Sequence, residues 1–135
     1  MSPVMMLLHP VGIGSTRAMN VASAKMWLRA LIDAIPAVAF EASWLAYAEI
    51  AISRERGIDD ALRMLDRCDG VVAVGGEFSR GMLAEWKRAA ERKLRLVDLT
   101  QPPMPKILTM EDFGKTRTPA FQAAIAAALG SARAA

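Results

Sequence analysis

Short apolar runs alternate along the chain with stretches in which apolar residues recur at helical spacing. Uninterrupted apolar runs are typical of strands that are buried on both faces of a sheet. Residues 4–9 and 70–74 form such runs, and residues 36–42 and 94–99 are also predicted to be strands. Helical spacing, or a pattern that favours a helix over irregular structure, occupies residues 17–34, 43–53, 54–69, 79–92 and 119–129. Strands that alternate with helices predict an α/β protein with a three-layer, Rossmann-like or flavodoxin-like fold and a mostly parallel sheet of four or five strands.

Several residue types mark the expected ends of these helices. Ser15 or Thr16 is suited to cap the helix that starts at 17, since a hydroxyl can accept a hydrogen bond from a free backbone N–H. Thr118 followed by Pro119 predicts the start of the last helix, and Gly130 is expected just past its end.

Length and composition indicate one domain over residues 1–135. Apolar residues make up 53% of the chain, which is enough to bury a core of ordinary size. Pro, Gly or Ser interrupts every long uncharged stretch, so no membrane association is expected, and the N-terminus lacks the basic start of a signal peptide. The single cysteine, Cys68, cannot form an internal disulfide and favours a reduced, cytoplasmic setting.

The content of histidine and charged residues excludes several classes of function. His9 is the only histidine, which argues against a histidine-based metal site and a Ser–His–Asp triad, so no metal or organic cofactor is expected. A net charge of +3 suits an anionic ligand. The basic residues are scattered and aromatic residues make up only 6%, whereas a groove for a nucleic-acid polymer needs clustered cations and stacking rings. A small anionic ligand therefore fits better than a nucleic acid.

Two glycine-containing loops follow predicted strands, where ligands bind in parallel sheets. In the loop at 75–81, Gly75 and Gly76 allow a sharp turn and close approach of a ligand. Ser79 is a suitable helix cap, and Arg80 adds a cation beside the exposed N–H groups of the helix start, which attract anions. The alternative is an ordinary strand-to-helix turn with a capping serine.

The loop at 10–17 has the same layout. Gly14, Ser15 and Arg17 suit one phosphate group, although the sequence fits neither G-x-G-x-x-G nor G-x-x-x-x-G-K-[ST]. His9, at the end of the preceding strand, either lines the same site or is structural.

Glu85 lies in the second turn of the helix at 79–92, beside Met82, Trp86 and Ala89. Burial among apolar residues raises the pKa of a carboxyl group, and a helix N-terminus opposes that shift. A carboxylate in this position can act as a nucleophile or as an acid/base on a glycosidic carbon. It can equally be a surface residue that pairs with a nearby Lys or Arg, and the spacing alone favours this second interpretation.

The segment 68–99 resembles the nucleoside 2-deoxyribosyltransferase-like superfamily, which includes nucleotide N-glycosidases and small bacterial and phage members. The resemblance covers about a quarter of the chain. It consists of Asp69 before an apolar strand, then Ser79-x-Gly81-x-x-x-Glu85 and a further short strand. It implies that Glu85 is the nucleophile that attacks the anomeric carbon and that the substrate lies against the helix at Gly81. Asp69 then either positions the sugar or is a structural acid.

The resemblance also implies a class of substrate. Family members with serine at the position of Ser79 act on nucleoside 5′-monophosphates. Those members also use a serine and an arginine of the first loop, and Ser15 and Arg17 are the candidates for these two phosphate ligands in this chain. The aromatic residue common in the first loop of the family is missing, so Trp44, Tyr47 or His9 is expected to contact the base.

The sequence hence predicts hydrolysis or transfer at the N-glycosidic bond of a nucleotide by a homo-oligomer. The alternative is a non-catalytic nucleotide-binding or sensor module on the same fold.

Overall fold

The computed structural model describes residues 3–12, 14–50, 52–106 and 108–131, with the backbone alone at 14, 15, 110, 130 and 131. The strands are β1 (Val4–Leu8), β2 (Ala39–Glu41), β3 (Gly70–Ala73) and β4 (Arg95–Asp98). The helices are α1 (Gly14–Ala34), α2 (Trp44–Glu49), α3 (Arg54–Leu65), α4 (Arg80–Glu91), α5 (Met110–Phe113) and α6 (Pro119–Ser131), with a 3-10 turn at Gly114–Arg117.

The four strands form one parallel sheet in the order β2-β1-β3-β4. The central pair is in register from Met5 opposite Gly70 to Leu8 opposite Ala73. This arrangement confirms the predicted α/β class and the Rossmann-like or flavodoxin-like architecture. The chain adds β2 on one side of β1 and then adds β3 and β4 on the other side, so the strand order changes direction between β1 and β3. The crevice at such a point is where parallel sheets bind ligands.

Side chains alternate between the two faces of the sheet, as strand geometry requires. Met5 and Leu7 of β1 pack into a core with Trp27 of α1 and Ile125 of α6. Met6 and Leu8 point to the other face, into a core with residues of α3 and α4 that include Leu65, Met82 and Ala89. Helices thus cover both faces, and the protein has three layers.

Some predicted ends of elements were wrong. Gly12 adopts a positive φ of 72°. The helix α1 begins at Gly14, so Ser15 and Thr16 lie inside its first turn and do not precede it. The helix α6 continues through Gly130 to Ser131. The start of α6 was correct, since the Thr118 hydroxyl accepts a hydrogen bond from the N–H of Phe121 at 3.3 Å.

Within the described ranges, no helix combines the length and the apolar character needed to cross a bilayer.

Candidate active site

A cleft of about 490 Å³ opens at the carboxyl end of β1. Its walls come from the loop after β1 and from the N-terminal halves of α3 and α4, with α2 beside them. At their other ends α3 and α4 are joined by Arg88, which donates to the Asp66 carboxylate at 2.8 and 2.6 Å. This hydrogen bond holds the pKa of Asp66 below its usual range. The two helices are therefore fixed at one end, and the cleft lies between the other ends.

Glu85 lines this cleft from the second turn of α4. Its side chain is half-buried, and among the described residues none donates a hydrogen bond to its carboxylate or forms an ion pair with it. Burial raises the pKa of Glu85 to about 7. The interpretation of Glu85 as a surface acid paired with Lys or Arg is therefore not supported. A carboxyl group with this pKa can serve both as a nucleophile and as a proton carrier near neutral pH.

The start of α4 is formed by the residues predicted for it. Ser79 is the N-cap, and its hydroxyl oxygen accepts a hydrogen bond from the N–H of Met82 at 3.3 Å. Ser79, Arg80 and Gly81 all line the cleft. The remaining N–H groups of the first turn and the Arg80 guanidinium give this end of the cleft an attraction for anions.

Three arginines line the cleft: Arg17 from α1, Arg54 from α3 and Arg80 from α4. No ion pair to a described residue involves any of them. The Nε atom of Arg17 is buried and has no hydrogen-bond acceptor among the described atoms. Glu85 is the only acidic residue of the described lining, so the cleft carries an excess of positive charge. A buried donor without an acceptor is costly, and an anionic ligand would supply the missing acceptor.

His9 lines the cleft but is fixed by the protein itself. One ring nitrogen, Nε2, lies 3.0 Å from the Ser23 hydroxyl, and Nδ1 lies 2.7 Å from the carbonyl oxygen of Pro10. Since a carbonyl can only accept, Nδ1 carries the proton and Nε2 accepts from Ser23. Burial lowers the pKa of His9, which keeps the ring neutral. Both nitrogens are occupied, so His9 is structural and offers no hydrogen bond to a base.

Trp44 and Tyr47 of α2 line the cleft as predicted. The indole N–H of Trp44 donates to the Leu7 carbonyl at 2.8 Å, and the Tyr47 hydroxyl donates to Asp60 at 2.9 Å. Their polar atoms are thus bonded within the protein, and the rings contribute mainly apolar surface to the cleft.

Asp69 is not among the residues that line the cleft, which favours the structural alternative for this acid over a catalytic role. It precedes β3, so it lies at the amino edge of the sheet, about 13 Å of strand away from the carboxyl edge. There its carboxylate accepts a hydrogen bond from the N–H of Val4 at 2.7 Å. The Asp69 side chain thus supplies the acceptor for a backbone N–H at the start of β1, which is a structural role.

Gly75 and Gly76 turn the chain after β3 but do not line the cleft. Their φ angles are 102° and 83°, in the left-handed region that favours glycine. A side chain at Gly75 would collide with Pro10 and one at Gly76 with Lys106. The sequence predicted that a ligand would approach these glycines closely, but the atoms next to them belong to Pro10 and Lys106 of the protein itself.

Two predicted phosphate ligands of the first loop are placed only in part. Gly14 and Ser15 belong to the first turn of α1, and any contact of the Ser15 hydroxyl lies outside the described residues. Arg17 is the member of that prediction that the structure places in the cleft.

No protein-family model matches the chain, and no curated protein matches it. The resemblance of residues 68–99 to the deoxyribosyltransferase-like superfamily therefore stays a prediction. Among the described residues, no group of three or more His, Cys, Asp or Glu side chains is placed to hold a metal ion.

The wall formed by α3 was missed. Ser53 caps α3 and accepts a hydrogen bond from the N–H of Arg56 at 3.2 Å, while Arg54 and Gly57 face the cleft. A signal existed, because Ser53-Arg54 repeats the serine–arginine pair of Ser79-Arg80 at the start of another helix.

Proposed function

We propose that this protein cleaves or transfers the N-glycosidic bond of a nucleoside 5′-monophosphate or a related nucleotide, with Glu85 as the nucleophile. The observation that carries the proposal is the half-buried carboxyl group of Glu85, unpaired among the described residues, in a cleft that also holds three unpaired arginines. Carboxylates are costly to bury without a partner, and such groups are concentrated where they do chemistry.

The reaction follows from the position of this carboxylate. A Glu85 oxygen attacks the anomeric carbon, the bond from that carbon to the base nitrogen breaks, and its electron pair leaves with the base, which takes up a proton. The sugar is then held as an ester of Glu85. Water or a second base attacks the same carbon and releases the carboxylate, giving hydrolysis or transfer.

The cleft supports a phosphate-bearing substrate. Its volume of about 490 Å³ falls in the range of roughly 300–1,000 Å³ that is usual for small-ligand sites. Ser79, Arg80 and the N–H groups of the α4 start would hold the phosphate, with Arg17 as a further donor. Gly81 would leave room for the sugar beside the helix.

A non-catalytic nucleotide-binding or sensor module is the second candidate. It is favoured by one observation: apart from Glu85, no described acid lines the cleft to give a proton to the departing base. A site that binds a nucleotide without cleaving it would need only the arginines and the capped helix.

Base release separates these candidates. Wild type, Glu85→Gln and the control Glu91→Gln, an exposed acid on the same helix, are incubated with deoxy- and ribonucleoside 5′-monophosphates and with the free nucleosides, and the free base is measured by chromatography. We expect wild type and Glu91→Gln to release base, preferentially from the monophosphates, and Glu85→Gln to be at least about 1,000-fold slower. Base release by Glu85→Gln at the wild-type rate would falsify the role of Glu85 as the nucleophile. Binding of nucleotides by the wild-type protein without base release would favour the sensor.

We also propose that the protein is cytoplasmic and self-associates. The single thiol, Cys68, is buried, and this burial raises its pKa to about 11, so it is not suited to disulfide chemistry. Ile50, Ile52 and Leu83 expose between 39 and 56% of their surface, and a second copy could cover them. Sedimentation equilibrium and fractionation of expressing cells test these two points.

A further inference from the structure

A second, much smaller void adjoins the cleft. It measures about 10 Å³ and shares four lining residues with the cleft: Trp44, Tyr47, Gly57 and Ala61. The first two belong to α2 and the last two to α3, one turn apart. The cleft and the void are therefore bordered by the same two aromatic residues of one helix and the same two small residues of the other. We call this region, defined by these four residues, the aromatic slot.

Gly57 has no role in the packing of the chain that would require glycine. It lies within α3 with an ordinary helical φ, and a Cβ built on it meets no other heavy atom within 4 Å. Glycine inside a helix costs about 0.5–1 kcal/mol relative to alanine. Because Gly57 lines both the cleft and the void, a longer side chain at this position would extend into the open space beside them.

The rings of the slot are held in fixed orientations. The indole N–H of Trp44 donates a hydrogen bond to the backbone of β1, and the hydroxyl of Tyr47 donates one to Asp60. The Asp60 carboxylate also accepts a hydrogen bond from Arg56 at 2.9 Å. Because their polar atoms are already bonded, these rings gain nothing from a ligand's hydrogen-bonding groups. They can offer a planar partner a preformed stacking surface at little entropic cost.

We infer that the aromatic slot is the subsite for the planar base of the ligand and that Gly57 determines the size of base it accepts. The identity of the ligand as a nucleotide rests on the proposed function. The phosphate would lie at the start of α4, and the base would extend from there between α2 and α3. His9, whose nitrogens are both bonded, takes no part in recognising the base.

The test measures the contribution of the base to affinity. Isothermal titration calorimetry compares 2′-deoxyadenosine 5′-monophosphate with 2-deoxyribose 5-phosphate, which carries the same sugar and phosphate without a base. All proteins carry Glu85→Gln so that the nucleotide is not consumed. The variant is Gly57→Leu, and the control is Gly114→Leu, at an exposed glycine with φ of −60° whose Cβ would also meet open space.

We expect the parent and the Gly114→Leu control to bind the nucleotide at least about 10-fold more tightly than the sugar phosphate, since stacking on an aromatic ring commonly provides that much. In Gly57→Leu this ratio should fall to within about two-fold of unity, while the affinity for the sugar phosphate is unchanged. Gly57→Ala, the smaller change, should lower the ratio in part and covers the case in which leucine prevents folding.

Three results would overturn the inference: an unchanged ratio in Gly57→Leu, an equal loss of affinity for both probes, or a parent that binds nucleotide no more tightly than sugar phosphate. Failure of the proposed chemistry is distinguishable from these. If the aromatic slot is not the base subsite, base release still depends on Glu85. If Glu85 is not the nucleophile, the ratio of the two affinities still depends on Gly57.

Discussion

Gly57 and Gly81 lie on different helices, face the same cleft, and are alike in that a Cβ on either would meet no other atom within 4 Å. Neither has a positive φ. By contrast, Gly75 is required by its φ and by the contact of its backbone with Pro10. Two helices thus contain glycines that the fold does not need, and both positions border the space where a ligand would lie.

Replacing Gly81 by alanine should therefore separate stability from binding. The Cβ has room, and alanine favours helix over glycine, so we expect a gain in the free energy of unfolding of a few tenths to about 1 kcal/mol. The same methyl group projects where the sugar would lie, so the KM for base release should rise at least about five-fold. Urea unfolding and initial rates measure the two effects, with Gly114→Ala as the control that should not change the KM. A more stable Gly81→Ala with an unaltered KM would show that the ligand does not approach this turn.

The raised pKa of Glu85 predicts a stability difference that depends on pH. The folded-state pKa, about 7, lies above the ordinary value of 4.5, so the contribution of this group to folding is complete below pH 4.5 and is lost as the pH rises through 7. Glu85→Gln, which never ionises, should hence differ little from wild type at pH 4.5 and be more stable by up to about 3 kcal/mol at pH 8. Chemical denaturation at both pH values tests this. A difference that does not change with pH would mean that the carboxylate is well solvated.

Removing the hydroxyl of Ser23 should lower the free energy of unfolding by much more than removing the hydroxyl of an exposed serine. Ser23 Oγ accepts from the buried N–H of Leu108 at 3.0 Å and donates to His9. Ser23→Ala leaves both groups buried without a partner, which costs about 1–3 kcal/mol for each, so we expect a loss of about 2–6 kcal/mol in the free energy of unfolding. Ser43→Ala is the matched control, because the Ser43 side chain is exposed and forms no cap. Equal stability of the two variants would refute this account of the His9 site.

Asp69 should matter for stability and not for chemistry. Asp69→Ala removes the acceptor of the Val4 N–H at an exposed edge, and we expect a loss of about 1 kcal/mol in the free energy of unfolding. The value of kcat/KM for base release should stay within two-fold of wild type, as it should in the exposed control Asp59→Ala. A drop of 100-fold or more in a stably folded Asp69→Ala would restore a catalytic role.

Local signals in the sequence were sufficient for much of the fold and for one wall of the site. The run at 70–74 identified β3, and the spacing of Ser79 and Glu85 identified α4 with its cap, because a cap and a helix face depend on neighbouring residues. The wall at Ser53–Gly57 was missed because only the sheet order brings it opposite Glu85. The position of Asp69 follows from strand polarity: a residue that precedes a parallel strand lies at the edge away from the ligand.

The three tryptophans of the chain lie in different environments, and only Trp44 lines the cleft. Trp27 is fully buried against Phe121, and Trp86 packs edge-to-face on Phe78. Occupation of the cleft therefore changes the surroundings of one indole and leaves those of the other two as they are. The protein carries an intrinsic fluorophore at its candidate site, so ligands can be screened without labels by the quenching of its emission.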